Sequence, residues 1–230
     1  MRDVPRETCG ADGQIRQLVE GCSALGIILS EEKRSRFASY LGEILVWNRR
    51  MNLVSRREVN SISLHHFLDS VSPLSHVPMP RGAELIDVGP GAGFPGLPLK
   101  ICRPDLRLTL VESTRKKALF LRHISEKLGL SEVTILCQRA ERLNREGPFQ
   151  NRYDVAVARA VARLRFLVCL CLPFLRTGGR FVAFKGGDIE EELEEALPEL
   201  PSLSGRLERS VEIVLPISSK KRKLLVFTKG

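Results

Sequence analysis

From Gln14 to Val71 apolar residues recur at helical spacing, and beyond that they gather into short runs separated by further helical stretches. Between Gln14 and Gly26, Ile15, Leu18, Val19 and Cys22 mark a first short helix. Ser30 then serves as an N-cap ahead of Glu31 and Glu32, and Phe37, Tyr40, Leu41, Ile44 and Leu45 form the stronger stripe of a second helix. Asn48 and Asn52, in the segment Trp47 to Leu53, are of the type that braces nearby backbone. A third helix is expected from Arg57 to about Val71, stopping before Pro73, with His66, Asp69 and Ser70 on one face.

The remainder alternates. Strands are expected at Leu85 to Val88, Arg107 to Glu112, Val133 to Cys137, Tyr153 to Ala158 and Arg180 to Phe184. Helices are expected after Pro95, from Arg115 to Leu128 with Gly129 closing it, and from Leu164 to Leu175, followed by a turn at Thr177-Gly178-Gly179. Ile189 to Leu197 reads as an acidic helix with a solvated face. Ser210 to Pro216 and Lys223 to Thr228 have no helix between them, which suggests a terminal antiparallel hairpin. The class is therefore α/β: a small helical region over residues 1–80, then a domain over 81–230 with about seven strands, mostly parallel, and a terminal antiparallel strand. Ligands of such sheets sit at the carboxyl ends of the strands.

Those ends carry the chemistry. Leu85-Ile86-Asp87-Val88 breaks into Gly89-Pro90-Gly91-Ala92-Gly93-Phe94-Pro95-Gly96, a strand, tight loop and helix opening suited to a nucleotide, because glycine lets a ligand approach the backbone. Gly91, Gly93 and Gly96 fit the dinucleotide pattern, whereas Asp87 with Gly89, Gly91 and Gly93 fits the pattern associated with S-adenosylmethionine. Glu112, ending the next strand, is placed to accept both ribose hydroxyls of either ligand. A nicotinamide enzyme would need more chain for a substrate domain and a proton-moving group, often histidine, yet His65, His66, His76 and His123 all lie away from the strand ends. Methyl transfer needs less, since holding donor and acceptor in line supplies much of the effect.

Charge narrows the acceptor. Lys plus Arg number 36 against 27 Asp plus Glu, a formal charge of +9, and Arg49-Arg50, Arg56-Arg57, Arg115-Lys116-Lys117 and Lys220-Lys221-Arg222-Lys223 are runs able to neutralise phosphates. The chain has neither an Asn/Asp-Pro-Pro-aromatic tetrapeptide for an exocyclic amine nor a Pro-Cys nucleophile for a pyrimidine ring. A ring nitrogen such as guanine N7 needs neither, and no dedicated general base. The six cysteines form no Cys-x-x-Cys pair, and Cys102, Cys137 and Cys169 sit in apolar segments as buried small hydrophobes. Reduced thiols, a polar N-terminus without a secretory leader and no membrane-length apolar run point to a cytoplasmic protein without a membrane partner and without a metal site.

Trp47-Asn48 with Asn52-Leu53, His66-Phe67-Leu68-Asp69-Ser70, Asp87-Val88-Gly89 through Pro95-Gly96, Arg159-Ala160 and Lys185-Gly186 together resemble the ribosomal RNA small subunit methyltransferase G family, also called glucose-inhibited division protein B. The resemblance runs from about Ile15 to Lys229. It implies a Rossmann-like, S-adenosylmethionine-dependent enzyme that methylates N7 of one guanosine in the helix-18 loop of bacterial 16S rRNA, with the rRNA or small ribosomal subunit as partner and a monomer as the favoured state. By position it implies cofactor contacts from Gly89, Gly91, Gly93 and Phe94, a ribose carboxylate at Glu112, adenine neighbours at Ala140 and Glu141, and Arg159 near the methionine end. Lys185, His66 and Arg222 are the candidates for RNA contact. Pro90 departs from the small hydroxyl residue expected there and removes a donor from the turn, which would weaken cofactor affinity. Two other readings share parts of this pattern: a basic RNA- or ribosome-binding protein that keeps the fold without turnover, and a small-molecule methyltransferase.

Overall fold

The computed structural model describes residues 10–159 and 162–230. Cys9, one of the six cysteines, and Ala160 lie outside the described residues. A seven-stranded sheet in the order β3-β2-β1-β4-β5-β7-β6 organises the chain. Its strands are β1 (Glu84–Val88), β2 (Arg107–Val111), β3 (Val133–Leu136), β4 (Tyr153–Arg159), β5 (Leu175–Lys185), β6 (Gly205–Val214) and β7 (Lys221–Lys229). The first five pair in parallel, whereas β7 runs antiparallel to both β5 and β6, as the terminal hairpin requires.

Because alternate strand residues point to opposite faces, both faces must be apolar when helices cover both. Val155, Val157, Val182, Phe184, Leu224 and Val226 join one core, while Ala156, Ala158, Phe181, Ala183, Leu225 and Phe227 join the other. The first core also holds Leu18 of α1 (Ala11–Ala24), Phe37, Tyr40, Leu41 and Ile44 of α2 (Glu31–Asn48), and buried residues of α4 (Gly96–Cys102) and α5 (Arg115–Lys127). The second holds α6 (Ala140–Leu143), α7 (Leu164–Cys171) and α8 (Glu190–Ala196). Ser30 caps α2 by accepting a hydrogen bond from the Lys33 amide at 3.4 Å. Asn48 Oδ1 accepts from the amides of Leu53 at 2.8 Å and Val54 at 3.0 Å, bracing the exit of α2.

Five expectations shift. The third helix is a chain of unlike turns, tight at Val59–Ser61, wide at Ser63–Leu68, regular in α3 (Asp69–Val71) and tight again at Ser72–Ser75, which contains Pro73. Proline is tolerated there because the first turn of a helix has no use for its N–H. Leu175 begins β5 instead of ending α7, and Thr177-Gly178-Gly179 lies within β5, where pairing jumps from Tyr153–Leu175 to Val155–Arg180. Glycine at Gly178 thus serves an irregular strand rather than a turn. The hairpin strand expected from Ser210 begins at Gly205. Cys102 is buried, with its thiol pushed up to about 12 mainly by burial, but Cys137 and Cys169 are half-buried.

Candidate active site

β1 ends at the glycine loop, whose shape comes from its own backbone. The amides of Gly93 and Phe94 both donate to the Pro90 carbonyl at 2.8 Å, and the Leu97 amide donates to the Gly93 carbonyl at 2.9 Å. Gly91 adopts φ +58°, and a Cβ there would project into open space. Gly93 adopts φ +98°, where a Cβ would strike the Tyr40 hydroxyl and the Leu97 side chain. Asp87 fixes the helix that follows, Oδ2 accepting from the Gly96 amide at 2.7 Å, while Oδ1 is buried with no hydrogen-bond partner. Burial raises the Asp87 carboxyl to about 7, against the opposing pull of the Gly96 amide and Arg159.

One residue beyond β2, Glu112 is 5% exposed. Its Oε2 accepts from the Gly91 amide at 3.2 Å and its Oε1 from the Thr114 amide at 2.7 Å. It lines a cavity of about 110 Å³ with Val88, Gly89, Ser113, Gln138, Ala140, Glu141, Phe166 and Leu170. Gly89, Glu112, Ala140 and Glu141 are thus brought together, whereas Gly91, Gly93 and Phe94 shape the loop without lining this cavity.

A second cavity, of about 320 Å³, opens at the ends of β4 and β5. It collects His66, Arg159, Lys185 and Arg222, together with Glu58, His65, Asp69 and Phe184. Asp69, 1% exposed, is its hub: Oδ2 accepts from Arg159 Nη1 at 3.0 Å, and both oxygens accept from Arg222 Nε at 3.1 Å. Arg159 also donates to the His65 carbonyl at 3.1 Å and to His66 Nδ1 at 2.7 Å. A guanidinium only donates, so Nδ1 is the unprotonated nitrogen of His66. Burial, then Arg159 and the other nearby cations, lower the His66 imidazole to about 3, so the ring is neutral near pH 7. The ring stacks on Phe94 at 4.9 Å, and the Arg159 guanidinium lies 5.0 Å from the Phe94 centroid. Phe94 therefore joins the glycine loop to the second cavity.

Lys185 is tied down: Nζ donates to the Ala162 carbonyl at 2.9 Å and to Glu192 Oε2 at 2.6 Å. Glu192 also accepts from the Leu164 amide at 2.7 Å, so α8 reaches the site's edge and is not only a solvated face. Sequence reasoning did not single out Phe166, Glu58 or Glu192. Phe166 and Glu192 read as ordinary helix positions, and Glu58 as the start of one. Tyr40 was legible only as a core residue, though a buried phenol generally needs a partner.

Parallel β1 to β5, a glycine loop after β1, an acid after β2 and cavities at the strand ends define a Rossmann-like methyltransferase fold. TrmN from Thermus thermophilus shares it, with a TM-score of 0.57 at 18% identity over 71% of this chain and 49% of that one. The chain belongs to a particular family of this class: the model for rRNA small subunit methyltransferase G matches residues 33–222. It is 41% identical over 210 residues to the ribosomal RNA small subunit methyltransferase G of Pelotomaculum thermopropionicum, covering 91% of this chain and 88% of that relative. The protein of the same name from Dehalococcoides mccartyi strain CBDB1 is 43% identical over 215 residues, 94% of this chain and 91% of the relative. Among the described residues no helix is long and apolar enough to cross a membrane.

Proposed function

We propose that this chain is a cytoplasmic, monomeric enzyme that uses S-adenosylmethionine to methylate guanine N7 at one guanosine in the helix-18 loop of 16S rRNA, acting on the rRNA or the small subunit. The observation that carries the reading is Glu112, a nearly buried carboxylate held by the Gly91 and Thr114 amides at the wall of a cavity that begins at Gly89. A carboxylate in that place suits two vicinal hydroxyls, and the open space at the Gly91 Cβ position lets a ligand approach the loop. Gly89 would line the methionine path, Glu112 would hold the ribose, Ala140 and Glu141 would flank the adenine, and exposed Phe166 would cover it. When bound, S-adenosylmethionine supplies a methyl group on a sulfonium, open to attack by a nitrogen lone pair.

The second cavity would orient the base. Neutral His66 keeps its N–H at Nε2, buried and facing Glu58 Oε2 at 3.5 Å, so Glu58 holds the ring at the cavity wall. Arg159, Arg222 and Lys185 place positive charge around it, and Asp69 fixes two of them in position. Guanine N7 carries no proton to remove, so orientation rather than proton transfer is the work asked of these residues. The chain's +9 charge favours RNA over a small neutral acceptor. Incubation with labelled S-adenosylmethionine and unmethylated small subunits or their rRNA tests the reading: label should enter the RNA. Transfer confined to small acceptors and indifferent to RNA would contradict it.

A further inference from the structure

The helices α2 and α5 lie side by side and run in opposite directions. Glu43 Oε2 meets His123 Nε2 at 2.6 Å, and further along α2 the Trp47 ring meets Phe120 edge-on at 5.5 Å. At the end of this seam the packing opens into a surface groove of about 290 Å³. Val46, Trp47, Met51 and Leu119 form its apolar lining, and Arg50 and Lys116 stand with them. Val46 is 55% and Leu119 49% exposed, so the groove leaves apolar surface in water. A neighbouring groove shares Arg50 and Met51 and adds Arg49 and Arg56.

Part of the exposed positive charge of the described residues is neutralised within the chain and part is not. Arg107, Arg152, Arg163 and Arg165 are exposed and each pairs with a carboxylate. Among the described residues, none of Arg49, Arg50, Arg56, Arg115, Lys116 and Lys117 has a carboxylate within 4.0 Å, as the ion pairs around them involve other residues. Unpaired cations hold mobile counterions, and releasing these drives association with a polyanion. Position matters equally. Lys116 lies four residues beyond Glu112, so the groove opens near the strand ends that carry the cofactor cavity. Arg56 is two residues from Glu58, which lines the second cavity.

We infer that the α2–α5 groove docks a single-stranded RNA segment flanking the target guanosine, with one unstacked base against Trp47, Met51 and Leu119 and phosphates on Arg50 and Lys116. The inference rests on the methyltransferase reading above and adds the place where the substrate strand is gripped outside the reacting site. Apolar and aromatic surface accepts the face of any base, and cations beside it track the backbone, so this contact would provide grip without reading sequence. An acidic peptide would satisfy the cations but has no use for a base-sized apolar floor.

The test uses the full chain, an Arg50→Ala/Lys116→Ala double variant and Leu119→Ser, all changed at exposed positions. Thermal midpoint and affinity for S-adenosylmethionine serve as controls and should stay at wild-type values. Binding to protein-free small-subunit rRNA is measured against salt. The double variant should bind more weakly, with the slope of log K against log salt reduced by roughly 1.4, as expected for two lost single-strand phosphate contacts. Leu119→Ser should bind at least about fivefold more weakly with the slope unchanged. Wild-type affinity and slope in the double variant would overturn the inference, as would variants that lose binding to polyglutamate while keeping it to RNA. If the wild-type chain neither binds nor methylates rRNA, the functional reading fails first; if it methylates and the variants match it, the groove assignment alone fails.

Discussion

The Tyr40 hydroxyl, carried by α2, donates a hydrogen bond to the Ala92 carbonyl in the middle of the glycine loop. Tyr40 is fully buried, and burial foremost holds its hydroxyl well above the ordinary range, so it remains a protonated donor. The same oxygen occupies the space a Cβ at Gly93 would need. The helical layer thus supports the loop from behind, and the loop's glycine is matched to that support.

Tyr40→Phe removes the hydroxyl and leaves the buried Ala92 carbonyl unpaired. The cost is about 1–3 kcal/mol, and for a chain of this size about 2–4 °C of thermal midpoint per kcal/mol. Affinity for S-adenosylmethionine should fall while affinity for rRNA is retained. Calorimetric titration checks this, and an unchanged cofactor affinity would confine Tyr40 to packing.

Glu112→Ala should weaken S-adenosylmethionine binding by about 1.5–3 kcal/mol through lost charge-assisted hydrogen bonds. Since Glu112 also holds the Gly91 and Thr114 amides, Glu112→Gln, which keeps an acceptor oxygen, should fall between wild type and Ala. Equal dissociation constants in all three proteins would remove the ribose role.

Asp69→Asn deprives Arg159 and Arg222 of their shared charge. Breaking a buried pair by removing one partner costs about 3–5 kcal/mol, because the other charge is left unpaired. Here two guanidinium groups would be left facing each other. Urea unfolding should show the loss, and a midpoint equal to wild type would show that the cluster contributes no stability.

Two groups tilt stability in opposite directions with pH. Asp87, raised to about 7 when folded, keeps its proton after the unfolded chain has lost its own near 3.8, so it makes stability fall as pH rises from about 4 to 7. His66, lowered to about 3 when folded, stays neutral while the unfolded imidazole protonates below 6.5, so its contribution is lost as pH falls through that window toward 3. Relative to wild type, Asp87→Asn should therefore gain stability as pH rises over 4 to 7, and His66→Gln should gain it as pH falls from 6.5. Each difference approaches at most about 1.4 kcal/mol per pH unit. Urea unfolding across this range checks both signs, and parallel pH profiles for wild type and variants would contradict the burial argument.

The sheet was legible because β1, β2, β4, β5 and β7 each carry a mainly apolar run covered on both faces, while the edge strand β6 keeps only an alternating pattern. The loop from Gly89 to Gly96 and the acid at Glu112 were legible because their residue types and spacing follow from backbone geometry. What the chain did not reveal locally was pairing over long sequence distances. Asp69 meets Arg222 across 153 positions and Arg159 across 90, and no local pattern announces either contact. Lys185 stands at the strand end where its position had placed it, yet its partner Glu192 lies in a helix that composition alone marks as solvated. The segment from Val59 to Ser75 kept a helical apolar pattern while changing its turn geometry, a change apolar spacing does not report.

The most direct measurement is the position of the methyl group after reaction of purified enzyme with unmethylated small subunits and labelled S-adenosylmethionine. Cleavage of the RNA chain at N7-methylguanosine should reveal one modified guanosine, in the helix-18 loop of 16S rRNA. Label at another base or another atom, or RNA left unlabelled while S-adenosylmethionine binds, would contradict the account.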